Sequence, residues 1–155
     1  MKSRSVTRHK KPGAMAGFEI AAPAGWQLTT QGLASYVKAP SGGASIEVSL
    51  APQRYQRPGR EALFLQAQAV RKDQYPGYRL IAIRPGTLLG APDAAWRFSW
   101  QTKPAARTGV LEVLVTLGTA AGTQSYELAV SAPSAAFPAA QAVFLRALRS
   151  FEPLN

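Results

Sequence analysis

Few side chains in this sequence have the type and spacing to do chemistry together. His9 is the single histidine, and there is no cysteine. A nucleophilic relay needs an imidazole held between a hydroxyl and a carboxylate. His9 instead stands in a basic N-terminal stretch, residues 1–17, that contains no acid. The missing thiols exclude disulfides, thiolate nucleophiles and Cys metal sites. One His and eight dispersed Asp and Glu offer no ligand spacing for zinc or calcium. No metal, no cofactor and no catalytic residue is therefore expected. No spacing pairs two carboxylates either.

Gly118-Thr-Ala-Ala-Gly122 lacks the Gly-Lys-Ser/Thr ending of a phosphate loop, so it reads as a hairpin loop. What is left points to binding rather than to reaction. Arg54, Tyr55, Arg57 and Arg60 form the densest basic and aromatic cluster outside the N-terminal stretch. Such a cluster suits an anionic ligand, a membrane surface or a cell-wall polymer. Trp26, Trp96 and Trp100 have stacking faces, but their alternation with polar residues assigns them to core packing. Trp100 is the exception, at a strand end beside residues 101–107. The candidate binding residues are thus Arg54, Tyr55, Arg57, Arg60 and Trp100.

The elements that must position these residues follow from periodicity. Trp96, Phe98 and Trp100 alternate with polar residues; so do Leu111, Val113, Val115 and Leu117, and then Tyr126, Leu128 and Val130. A period of two puts each set on one face of a strand. Residues 94–131 therefore read as three consecutive antiparallel strands sharing a core, with breaks at Gly109 and at Gly118 to Gly122. Earlier strands are expected at 18–22, 26–29, 34–38 and 45–51, and another at 78–84, ended by Pro85-Gly86. Two helices are expected, roughly 60–74 and 135–150. The first carries Leu63, Phe64, Ala67 and Val70 as its apolar stripe and is stopped by Pro76-Gly77. The second is N-capped by Ser134 and turns Phe137, Ala140, Phe144, Leu148 and Phe151 inward. Val110 and Leu114 lie opposite the main apolar face, so the sheet wants a cover on both sides. The expected class is α+β: an α/β/α sandwich around an antiparallel sheet of about six to seven strands.

At 155 residues the chain makes one domain. Residues 1–17 hold Lys2, Arg4, Arg8, Lys10 and Lys11, half of the net charge of +10. They are expected to form a flexible basic arm or a cloning-derived segment, leaving 18–155 as the folded unit. No run of about 20 apolar residues is present to span a membrane, and no apolar signal-peptide core follows the basic stretch. Membrane association would need a missing anchor or the basic arm. Neither helix-turn-helix, zinc-finger nor ribonucleoprotein motifs point to nucleic acid.

Several segments together carry a family resemblance. Phe18-Glu-Ile-Ala-Ala-Pro-Ala-Gly-Trp26 opens it, and Gly77-Tyr-Arg-Leu-Ile and Ala91-Pro-Asp-Ala-Ala-Trp-Arg-Phe-Ser-Trp100 follow. Ser125-Tyr-Glu-Leu-Ala-Val-Ser-Ala-Pro133 and the pattern from Phe144 to Pro153 close it. In this order they resemble the superfamily of PsbP-like, Mog-like and DcrB-like domains. Within it they resemble most the extracytoplasmic C-terminal domain of actinobacterial serine/threonine protein kinases and related lipoproteins. The resemblance implies the same sandwich and implies binding rather than catalysis. Members assist a photosynthetic complex, bind a small GTPase or chaperone secreted effectors. The leading expectation is a non-enzymatic, extracytoplasmic binding or sensory domain of a membrane-anchored bacterial protein. Its partner would be a protein or an anionic cell-envelope ligand. The alternatives are a cytoplasmic adaptor or chaperone for a protein partner and, third, a small hydrolase.

Overall fold

The computed structural model describes residues 3–8, 17–51, 55–119 and 122–154. The strands, in chain order, begin with β1 (Ser3–Arg8), β2 (Phe18–Pro23), β3 (Gln27–Gln31), β4 (Ala34–Lys38) and β5 (Ser45–Ala51). Helix α1 (Pro58–Arg71) precedes β6 (Arg79–Leu88), β7 (Ala91–Lys103), β8 (Ala106–Thr119) and β9 (Gly122–Pro133). Helix α2 (Phe137–Ser150) and the short β10 (Glu152–Pro153) complete the chain. One sheet has seven strands in the order β3-β4-β5-β9-β8-β7-β6, and a second has three in the order β1-β2-β10. Every pairing is antiparallel. The class is α+β, as the periodicity predicts.

Helix α2 and the small sheet cover one face of the large sheet. Phe137, Ala140, Phe144, Leu148 and Phe151 are all buried there, against Ile46, Val48, Leu111, Val113, Leu128 and Val130. This is the predicted α2 stripe. The small sheet adds Phe18, Ile20 and Ala22 to the same core, with the Phe18 and Phe151 rings stacked at 5.8 Å. Ser3–Arg8, expected in a free basic arm, instead pairs residue by residue with β2. Its Val6 is buried in the core. An apolar side chain at strand spacing outweighs the basic composition around it. His9 and residues 10–16 lie outside the described residues.

Helix α1 covers part of the other face, over β7, β6 and β8. Here the predicted stripe is corrected. Leu63, Phe64 and Val70 are 55%, 58% and 56% exposed, whereas the buried positions are Pro58, Ala62 and Ala69, with Leu65 beside them. The sheet explains the rotation. Trp96 and Phe98 already fill the space under the helix, so the helix presents its small residues and approaches closely. The helix also stops earlier than Pro76-Gly77. Asp73 takes a left-handed φ of 50°, and Gln74 N–H caps the Ala69 carbonyl at 2.9 Å.

Register corrects the idea of one shared core for the three long strands. Trp96 pairs with Glu112 and Phe98 with Val110, while Arg97 pairs with Leu111. The aromatic face of β7 is therefore on the α1 side, and the Leu111, Val113, Val115 and Leu117 face of β8 is on the α2 side. Gly109 is no break. It lies within β8, where a Cβ would come within 2.6 Å of the Phe137 ring of α2. The β7–β8 hairpin turns four residues earlier, where Ala105 has φ 64°. Pro85-Gly86 does not end β6. Both residues pair with β7, and Pro is tolerated because β6 is the sheet edge and its outer side needs no N–H. Ser134 is not the cap of α2; that position is Ala136, and the Ser134 hydroxyl donates to the Arg107 carbonyl at 3.2 Å.

Candidate functional site

The face under α1 has two halves, and their difference builds the site. One ladder row crosses it as Ile83, Trp96, Glu112, Ala129, Glu47 and Tyr36 on β6, β7, β8, β9, β5 and β4. The β6–β7 end is apolar and lies beneath the helix. The β8–β9–β5–β4 end is polar, and there the slot between helix and sheet opens into a groove of about 370 Å³. Ala129 in the middle of the row is the reason for the space: a methyl sits between two glutamates. Tyr75 and Trp100 form one wall with rings 5.5 Å apart. Leu65, Gln68 and Ala69 of α1 overhang the groove, and Glu47, Glu112 and Glu127 lie along its floor.

Local structure holds each wall in place. Trp96 Nε1 donates to the Tyr78 hydroxyl at 3.0 Å, and that hydroxyl donates to Gln66 of α1 at 2.6 Å. The loop carrying Tyr75 is tied to the β7–β8 hairpin. Gln101 N–H donates to the Pro76 carbonyl at 2.7 Å and Arg107 Nη2 to the Gly77 carbonyl at 2.6 Å. Gly77 is required there: it has φ 65°, and a Cβ would meet Gln101 at 3.0 Å. At the other end Tyr55 is buried. Its N–H donates to Ser125 Oγ at 2.8 Å, and its carbonyl accepts from Thr116 Oγ1 at 2.9 Å. Its hydroxyl donates to Glu127.

The carboxylates form a chain. Burial pushes the Glu112 carboxyl up to about 8, helped by the like charges of Glu127 and Glu47 and by a hydrogen bond with Glu127. The shift favours the protonated form of Glu112, hydrogen-bonded to Glu127. Glu47 accepts from Ser49 Oγ at 2.9 Å. Its charge, more than burial or its hydrogen bond with Tyr36, raises the Tyr36 hydroxyl. Burial, then the charges of Glu112, Glu47 and Glu127, pushes Tyr75 up to about 12. Among the described residues no three His, Cys, Asp or Glu stand close enough to hold a metal.

The sequence candidates fall in different places. Trp100 lines the groove, and Tyr55 anchors its Glu127. Arg57 and Arg60 lie at the start of α1 and do not line the groove; Arg54 lies outside the described residues. Among the described members of that cluster, Tyr55 turns its hydroxyl to Glu127, while Arg57 and Arg60 stand at the start of α1. Sequence spacing missed Glu47, Glu112 and Glu127, which are 65 and 15 residues apart along the chain. The available signal was phase: each sits one step out from buried apolar neighbours, as in Val110-Leu111-Glu112-Val113-Leu114.

Among the described residues no helix is long and apolar enough to cross a membrane. No curated protein matches the chain. Solved structures share its fold. LpqN, a protein involved in cell envelope biogenesis of Mycobacterium tuberculosis, aligns with TM-score 0.66 at 12% identity, covering 99% of this chain and 92% of LpqN. The cyanobacterial PsbP of Synechocystis aligns with TM-score 0.63 at 10% identity, covering 96% and 92%. A Pseudomonas aeruginosa protein of unknown function, PA94, aligns with TM-score 0.60 at 17% identity, covering 88% and 92%. These likenesses establish a PsbP-like fold. The family model for the serine/threonine kinase C-terminal domain matches residues 11–153, which takes in both helices, the whole large sheet and every wall of the groove, and the chain belongs to that family.

Proposed function

We propose that this domain is the non-catalytic, extracytoplasmic sensory part of a membrane-anchored bacterial protein such as a serine/threonine kinase, and that it takes its ligand in the groove beside α1. The observation that carries the reading is the groove itself. It is a preformed slot of small-ligand size, with aromatic walls and polar floor, in a family described as a serine/threonine kinase C-terminal domain. The groove residues also favour binding over turnover. Glu112 and Glu127 are hydrogen-bonded to each other, and the hydroxyl set against them is the phenol of the buried Tyr55, which burial pushes up and so keeps protonated. The cell-envelope role of LpqN supports the same side of the membrane. The exposed Leu63, Phe64 and Val70 on the outer side of α1 favour a second reading, an adaptor that docks a protein partner there.

This domain has no cysteine, so one introduced thiol reports on it when the unsubstituted protein is labelled in parallel. Lys103→Cys, at an exposed position, is introduced into the full-length native protein and treated with a membrane-impermeant maleimide. Labelling in intact cells is the expected result. Labelling only after lysis would place the domain in the cytoplasm and favour the adaptor. Ala129→Trp, which fills the groove, is expected to abolish the response of the tethered kinase, while Phe64→Ala leaves it intact. The reverse pattern would move the binding site to the outer face of α1.

A further inference from the structure

The groove is sorted by charge. The chain has 18 Lys and Arg against 8 Asp and Glu, yet no Lys, Arg or His is among the described residues lining it. Three of the few acids, Glu47, Glu112 and Glu127, converge there from β5, β8 and β9. Desolvated carboxylates are normally matched by a cation, yet none of the described lining residues is one; Lys38, on the same face of β4, lies beside the groove with its ammonium 5.4 Å from the centroid of the Tyr36 ring. The walls agree with the floor. Tyr75 and Trp100 line the groove with rings whose electrons attract a positive charge, and a volume of about 370 Å³ is ample for a small organic molecule.

We propose that the groove recognises an organic cation. An ammonium group lies over Glu47 and the Glu112–Glu127 pair, and an apolar body rests against Tyr75 and Trp100. The proposal deepens the reading of the groove as a ligand site and rests on it. A bare metal ion fits poorly. Glu127 already accepts from Tyr55 and from Glu112, and no three carboxylates close on a common point among the described residues. The ligand is opposite in sign to the one that Arg54, Arg57 and Arg60 lead one to expect, and Arg57 and Arg60 lie away from the groove.

Proton exchange follows. The groups facing Glu112 are Glu127 from β9, Glu47 from β5 and Tyr36 from β4. Tyr55 approaches from the segment before α1, the neutral Gln68 from α1 itself and Tyr75 from the loop after it. Among these lining groups none is cationic; the cation beside them is Lys38, over the Tyr36 ring at 5.4 Å. An arriving ammonium draws the proton from Glu112, so binding releases a proton and tightens as pH rises.

The test uses n-hexylammonium as probe, with 1-hexanol and hexanoate as its neutral and anionic counterparts, and calcium chloride as the inorganic cation. Each is titrated into the ¹⁵N-labelled chain at about pH 6 and about pH 8.5. Amide signals of Glu47, Glu112 and Ala129 and the indole signals of Trp96 and Trp100 are followed. Saturable shifts with hexylammonium are expected, tighter at the higher pH. Glu47→Gln is expected to weaken them about tenfold or more. Trp100→Ala, in which no carboxylate is touched, is expected to weaken them as well, and it covers the case in which the first variant misfolds. Equal binding of hexanol overturns the cation class and leaves the groove standing as a ligand site. Preference for hexanoate overturns the class too, and so does calcium binding in place of hexylammonium. Silence toward every probe overturns the proposal, while the response of the Ala129→Trp variant still decides the groove on its own.

Discussion

Glu112 is the residue whose setting departs most from what its neighbours in the sequence announce. In Val110-Leu111-Glu112-Val113-Leu114 it looks like the solvent-facing step of an amphipathic strand. The sheet has a cover on both sides, so the step faces a groove and the carboxyl is pushed from its ordinary 4.5 up to about 8. A carboxyl raised in the folded state favours folding fully while both states are protonated. It loses that contribution as pH climbs through the folded value. The chain should therefore be less stable at about pH 8.5 than at about pH 5, and Glu112→Gln should flatten the slope. Urea midpoints at the two pH values check it; an unchanged slope in the variant would clear Glu112 of any part in the effect. The site is half legible at this scale. Trp100 stands out by its place at a strand end and Tyr55 by its company. Glu47, Glu112 and Glu127 are hidden, since nothing along the chain says which strand lies beside which.

At the scale of elements, the two helices make a contrast. The α2 stripe is readable because its large side chains, Phe137, Phe144 and Leu148, are themselves the buried volume. The α1 stripe is not, because there the sheet provides the bulk and the helix provides Ala62 and Ala69. Phe144→Ala should accordingly cost about 3–5 kcal/mol, whereas Phe64→Ala, on a helix of the same length, should change stability by no more than about 0.5 kcal/mol. Equilibrium urea unfolding of the two variants measures both. Similar losses would mean that the outer face of α1 is covered in solution. Tertiary position likewise explains Pro85 and Gly109. Each punctuates a strand on paper, yet one lies on a sheet edge where a missing N–H does no harm. The other lies under an aromatic ring that tolerates no Cβ.

At the scale of the whole molecule, a sheet with two oily faces keeps two cores apart. Phe98 belongs to the core under α1 and Phe144 to the core under α2 and the small sheet. Their effects should be additive. Phe98→Leu and Phe144→Leu combined should cost the sum of the single losses to within about 0.5 kcal/mol. A larger coupling energy in the double-mutant cycle would show that strain passes through the sheet. The seven-strand layer and its two helices could be expected from hydrophobic period and turn residues alone, because a strand or helix advertises its own buried face every two or every three to four residues. Family membership was legible in the order of short segments such as Gly77-Tyr-Arg-Leu-Ile. Periodicity carries no record of how one strand is phased against the next. Tertiary pairing therefore decided that Trp96 and Leu111 look in opposite directions, that Ser3–Arg8 joins a sheet, and that three glutamates from β5, β8 and β9 meet in one groove. Side chains separated by many residues become neighbours only when hydrogen-bonded ladders set the register, and there the binding chemistry of this protein resides.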